Sequence, residues 1–166
     1  PDGTNYDTSA GNTQTRVYRD GVGSTTLSTM ADYAFLYWAT DLQPSIPNQV
    51  IPNIRFPGSV NYGTAGSPYM LEEYWNPRNN PATWQNLTTY TISFGSGSAP
   101  STAIAPRWGW SNDPRMGINW YAGDYPGLVT GAVNWGNPIA GPNINDALRK
   151  DLWHMAVNSR GRYILA

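Results

Sequence analysis

The stretch NDALRKDLWHMAVNSRGRYILA, Asn145 to Ala166, constrains this chain more than any other. Leu148, Leu152 and Ala156 recur at helical spacing with Met155 beside them, whereas Asp146, Arg149, Lys150 and Asn158 fall largely elsewhere around the axis. The pattern predicts an amphipathic helix. Gly161 stands where a left-handed C-terminal cap is expected, and Arg162-Tyr163-Ile164-Leu165 then reads as a short strand of aromatic and branched residues. A helix that feeds straight into such a strand calls for a second strand upstream, against which both can pack.

Leu87 to Phe94 supplies it. Tyr90, Ile92 and Phe94 alternate with Thr89, Thr91 and Ser93, so the run has two distinct faces and a period of two. Strand, helix and strand in that order form a β-α-β unit, for which a parallel, right-handed crossover is expected. A second helix is predicted over Leu27 to Asp41, LSTMADYAFLYWATD. Thr29 and Asp32 occupy capping-box positions, Leu27, Ala31, Ala34 and Trp38 share a face, and Pro44 and Pro47 bar its continuation. Tyr33, Phe35 and Tyr37 make this helix apolar nearly all round, which predicts burial on both sides. Helices alternating with strands give an α/β fold, a sheet with flanking helices.

At 166 residues with 40% hydrophobic content, the chain is read as a single domain or domain fragment, 1–166. Residues 1–26 are polar and glycine-rich, a loop or edge hairpin. Residues 27–95 carry the first helix, a long loop with a helical hint at Met70 to Trp75, and the core strand. Residues 96–142 form an aromatic-rich insertion, and 143–166 the last helix and strand. Two parallel strands are not expected to stand alone. Gln49-Val50-Ile51, Leu128-Val129 and the first segment are candidates for further strands. The favoured source is a partner: the upstream half of the same polypeptide, or a neighbouring subunit that completes the sheet.

Charge excludes several roles. Only 13% of residues are charged and the formal net charge is -1, so neither nucleic acid nor an acidic membrane surface is an expected partner. The longest apolar and aromatic run, Tyr33 to Ala39, is far too short to span a bilayer. Absence of cysteine removes disulfides and thiolate metal sites. The chain opens on Pro1, as expected of a processed or excised piece with any export signal outside it.

Candidate chemistry is sparse. His154, the sole histidine, lies mid-helix beside Trp153 with no nucleophile pattern near it, and reads as a structural hydrogen-bonding group. Glu72 and Glu73 are adjacent and so point apart, which makes them a poor acid and base pair unless one converges with Asp113 or Asp124, as a glycoside hydrolase would require. Gly95-Ser96-Gly97-Ser98 follows a strand, but lacks the lysine of a phosphate loop. The aromatics Trp108, Trp110, Trp120, Tyr121 and Trp135 are the candidate binding residues. Flat rings in loops either stack on sugars and partner surfaces or pack inward to hold irregular backbone.

Three segments, ADYAFLYWATDLQP within Leu27 to Pro44, NPATWQNLTTYTISFG at Asn80 to Gly95 and DLWHMAVNSRGRYILA at Asp151 to Ala166, together resemble the von Willebrand factor A-like region of the PilC/PilY type IV pilus tip adhesins. Asp124 to Pro138, DYPGLVTGAVNWGNP, is similar to a fourth family segment. The resemblance implies the C-terminal part of a von Willebrand factor A-like, Rossmann-like sheet with long Trp/Gly/Pro-rich loop insertions. It implies a secreted, non-catalytic protein at the pilus tip on the bacterial cell surface, supporting pilus assembly and attachment to a host or abiotic surface. A complete domain of this kind opens with Asp-x-Ser-x-Ser holding a divalent cation. Here Asp7-Thr8-Ser9-Ala10-Gly11 has glycine at the last position and no apolar strand before it, and Asp2-Gly3 is at most a remnant, so no metal or other cofactor is expected. An extracellular carbohydrate-binding module is the alternative function, and a glycoside hydrolase ranks behind it.

Overall fold

Thr29 begins the first helix as its sequence demands. Its Oγ1 accepts from the Asp32 N–H at 3.2 Å while the Asp32 carboxylate accepts from the Thr29 N–H at 3.3 Å, so two end donors of α1 (Met30–Ala39) are satisfied reciprocally. Thr40 ends the helix in extended backbone, several residues before Pro44. The computed structural model describes residues 13–19, 29–93, 125–132, 135, 138 and 144–165. Among them are also α2 (Tyr125–Thr130), α3 (Ile144–Asn158), and four short strands: β1 (Val60–Asn61), β2 (Met70–Leu71), β3 (Thr91–Ser93) and β4 (Tyr163–Leu165). No helix of the described residues is long and apolar enough to cross a membrane.

The β-α-β reading holds in its pairing. β3 and β4 run parallel, with Thr91 opposite Tyr163, Ile92 opposite Ile164 and Ser93 opposite Leu165. The intervening α3 lies against the pair, and the Thr91 hydroxyl donates to the Leu152 carbonyl at 2.9 Å. β1 and β2 form a separate antiparallel hairpin. The described residues therefore make a mixed α/β arrangement of helices around two small sheets.

Several expectations fail in instructive ways. Residues 13–18, taken for loop or hairpin, form a 3₁₀ helix whose Val17 and Tyr18 are completely buried. Leu128-Val129 belongs to α2 rather than to a strand, and residues 49–51 form no strand. The helical hint at Met70 to Trp75 resolves into β2 and a single 3₁₀ turn, Glu73–Trp75. On α1, Phe35 and Trp38 face inward, but Tyr33 and Tyr37 are about half exposed, so burial is one-sided. On β3, Thr91 is the buried residue and Ile92 is 51% exposed, because the helix covers the threonine face.

The buried face of α3 is also rotated from the predicted one. Leu148 is 42% exposed and Leu152 half-buried, while Trp153, His154, Ala156, Val157 and Asn158 are buried, together with Lys150 and Asp151. Polar residues ride inward here because specific partners receive them, which apolar periodicity cannot register. Leu148→Asp should accordingly shift stability by no more than about 0.5 kcal/mol, as exposed substitutions do. Ala156→Asp, placing a carboxylate in a fully buried position, should leave no cooperative transition in urea unfolding; equal effects at the two sites would refute the rotated face.

Candidate functional site

Where α3 stops, the backbone does something its sequence does not advertise. The Arg160 N–H donates to the Val157 carbonyl at 3.2 Å and the Gly161 N–H to the Ala156 carbonyl at 2.9 Å, the paired bonds of a Schellman cap. The left-handed residue of that cap is Arg160, at φ 64°, and not Gly161. Gly161 is required for a different reason, since a Cβ there would lie 1.9 Å from the Thr89 carbonyl oxygen. The cap thus seats α3 directly on the chain entering β3.

Its second effect is to turn Arg160 inward. The guanidinium carbon lies 4.6 Å from the Tyr18 ring centre and 4.0 Å from that of Trp38, and NH2 donates to the Tyr74 carbonyl at 3.3 Å. NH1 donates to the Tyr18 hydroxyl, which in turn donates to the Trp75 carbonyl. Tyr18 stacks on Phe35 at 4.7 Å, and Phe35 on Trp38 at 5.8 Å. Burial drives the Tyr18 phenol well above its ordinary pKa, against the opposing pull of Arg160, so the hydroxyl stays protonated and keeps its donor role.

The Tyr18 carbonyl is the other anchor. It accepts from His154 Nε2 at 3.1 Å and from Asn158 Nδ2 at 3.0 Å, which fixes the histidine as the Nε2–H tautomer. His154 is closed off on one side by Trp135, whose ring lies parallel to it at 4.2 Å. Desolvation lowers the His154 pKa to about 3, from an ordinary value of 6.5, with the Tyr18 carbonyl opposing. An unfolded chain takes up this proton near pH 6.5 and the folded chain refuses it until about pH 3. Stability is therefore full above pH 6.5 and declines toward pH 3, by roughly 1.4 kcal/mol per pH unit while one proton separates the states. His154→Gln, which retains an amide donor, should flatten the fall in urea midpoint between pH 7 and pH 5; identical slopes in the two proteins would show that His154 is not the titrating group.

Of the candidate aromatics, Trp108, Trp110, Trp120 and Tyr121 lie outside the described residues. Trp135 is described, and it packs inward. Its Nε1–H donates to the Val17 carbonyl at 2.7 Å and its ring meets Trp153 edge to face at 4.6 Å, so the ring is not available as an exposed stacking platform. Asp113, Asp124, Asp2, Asp7 and Gly95 to Ser98 also fall outside the described residues. Glu73 Oε2 accepts from the Gly58 N–H at 2.6 Å and so braces a loop. No group of three or more His, Cys, Asp or Glu suited to a metal ion occurs among the described residues.

One concave site among the described residues was not anticipated. A groove of about 260 Å³ opens at the N-terminal end of the parallel strands, lined by Tyr90, Gly161 and Arg162 next to the strands and by Asn53, Arg55 and Phe56 from the loop before β1. Arg78, Asn80 and Arg160 complete it. One buried side chain, Asn79, positions that loop. Asn79 Oδ1 accepts from the Arg55 and Phe56 N–H groups at 3.0 and 2.9 Å, and its Nδ2 donates to the Phe56 and Glu73 carbonyls at 2.8 and 3.2 Å. Sequence reasoning missed this site because its residues come from four separate stretches. One signal was present: of ten basic residues all but Lys150 are arginine, the cation suited to planar, bidentate contacts.

No family model matches the chain, and no solved structure matches it significantly. Three curated relatives do, all named type IV pilus biogenesis factor PilY1 and all from Pseudomonas aeruginosa. The chain is 40% identical to the protein of strain PAO1 and 38% to that of strain PAK, over all 166 of its residues. To the protein of strain UCBPP-PA14 it is 35% identical over 84% of its length. It spans only 10 to 12% of those relatives. Along its whole length, then, the chain is homologous to one short segment of the PilY1 type IV pilus biogenesis factors.

Proposed function

We propose that this chain is a segment of a type IV pilus biogenesis factor that works without catalysis at the bacterial cell surface, at the pilus tip, supporting pilus assembly and attachment to surfaces. The observation that carries this reading is the similarity, at 40% identity over all 166 residues, to a protein named for pilus biogenesis. The burial of His154 against a main-chain carbonyl agrees with it, since the one histidine is committed to structure.

The segment contributes the C-terminal part of a von Willebrand factor A-like sheet, and another part of the longer polypeptide or a neighbouring subunit completes that sheet. The support is local: β3 and β4 form a parallel pair of three residues each, and Ile92 and Tyr90 are 51% and 63% exposed on the face away from α3. The experiment is a segment exchange in Pseudomonas aeruginosa. Replacing the corresponding stretch of PilY1 with this chain should restore surface pili and adhesion to a strain in which that stretch has been deleted. A hybrid that accumulates and reaches the surface, yet restores neither, would defeat the proposal.

A further inference from the structure

We propose that the groove between Tyr90 and Arg55 binds an acidic sugar, holding a carboxylate or sulfate on its arginines and the sugar ring against Tyr90. The inference is independent of the pilus reading and rests on what the walls of the groove present. Among the described residues that line it, four are arginines and none carries a carboxylate, in a chain whose overall charge is -1. Field lines from several like charges in one concavity attract an anion far more than scattered charges do.

The four arginines play different parts. Arg55 and Arg162 are exposed and reach the lining from two separate stretches of chain, so the groove has two accessible guanidinium groups. Arg78 is stacked on Phe56, its guanidinium carbon 3.2 Å from the ring centre. Stacked there, it adds a fixed positive charge to the lining. Arg160 lies behind them, held by Tyr18 and Trp38, and contributes positive potential from within.

A sugar fits these walls better than an acidic peptide does. Extended peptides are held chiefly by main-chain hydrogen bonds, and most of the main-chain donors along the groove are already used. The Asn53 and Asn80 N–H groups donate to each other's carbonyls, Arg55 and Phe56 donate to Asn79, Arg78 to Asn76, and Gly161 to Ala156. What remains is mainly side-chain chemistry. Tyr90, 63% exposed, offers a flat ring with a hydroxyl at its rim. Asn80 has its Oδ1 engaged by the Trp38 indole at 3.0 Å, which leaves its NH2 to donate to a hydroxyl or ring oxygen. At about 260 Å³ the groove lies just under the range of roughly 300–1,000 Å³ usual for small-molecule sites, a size suited to one acidic sugar unit of a longer chain.

Calorimetry at low salt on the purified protein tests this with trigalacturonate and a sulfated trisaccharide as acidic probes. Maltotriose serves as the neutral probe, and inorganic sulfate and triglutamate as anions without a sugar ring. At least one acidic trisaccharide should bind at least tenfold more tightly than maltotriose, sulfate and triglutamate, and which of the two binds identifies the acid. Affinity should fall at least tenfold in Arg55→Ala/Arg162→Ala and in about 0.5 M salt. Tyr90→Ala should weaken the sugar severalfold and leave any residual sulfate binding unchanged. All three replaced residues are exposed, so thermal unfolding of the variants should match that of the parent. Binding of neither acidic sugar, equal binding of sulfate or triglutamate, or undiminished affinity in the double variant would each overturn the proposal.

Discussion

Gly161→Ala should cost about 3 kcal/mol or more, the upper end for overpacking and a large share of the about 5–15 kcal/mol that holds a domain folded. The methyl group would lie 1.9 Å from the Thr89 carbonyl oxygen and 2.7 Å from its carbon, and both are backbone atoms that no rotamer change can move aside. Thr89 has little room to retreat, since its N–H is held by Ser159 Oγ at 2.9 Å and its chain enters β3 two residues later. Relief would require α3 to lift from the parallel strands. Ser159→Ala at the same junction removes the bond from the Thr89 N–H and the one to the Met155 carbonyl but introduces no clash, and should cost less, about 1–2 kcal/mol. Urea unfolding followed by tryptophan fluorescence separates the two, and a Gly161→Ala protein with the parent's midpoint would refute the close approach.

Asn158→Asp is the second large loss expected. Asn158 is completely buried, and its Nδ2 donates at once to the Tyr18 carbonyl at 3.0 Å and to the Ala31 carbonyl at 2.8 Å, joining α3 to the 3₁₀ helix and to the start of α1. A carboxylate has no N–H to offer, so two buried carbonyls would face a negative charge. Each orphaned acceptor costs about 1–3 kcal/mol before any charge is buried. The variant should be unfolded at neutral pH; full stability at pH 7 would show that the bridge is dispensable.

These two sites mark where the sequence could and could not be read. The box of Thr29 and Asp32 is local chemistry between residues three apart, so it was visible, and the helix starts there. The parallel pairing of Thr91 to Ser93 with Tyr163 to Leu165 followed from the order of a strand, a helix and a strand. The buried face of α3 was not visible, because His154 and Asn158 are drawn inward by a carbonyl more than a hundred residues away. For the same reason Thr13 to Tyr18, polar and without apolar period, gave no hint that Tyr18 is central to the aromatic stack. The cap was half legible: a stop at Arg160-Gly161 was expected, but not an arginine in the left-handed region, where its guanidinium gains two rings and the Tyr18 hydroxyl. The arginine groove is a product of tertiary convergence, and only the surplus of arginine over lysine pointed toward it.

The Tyr18 carbonyl also sets the order of events when the chain folds. Its two side-chain donors lie 136 and 140 positions away, and the Tyr18 hydroxyl waits for Arg160, 142 positions on. A chain emerging from a ribosome or threading through a channel with its N-terminus leading cannot close these bonds until α3 is almost complete. Closing so long a loop is entropically slow, and contacts of such separation put folding late and cooperative. Until then the first aromatic residues travel without their cage, in a form that remains open to threading or to a chaperone. The native state is sealed at the end of the segment, by its last helix and the arginine that caps it.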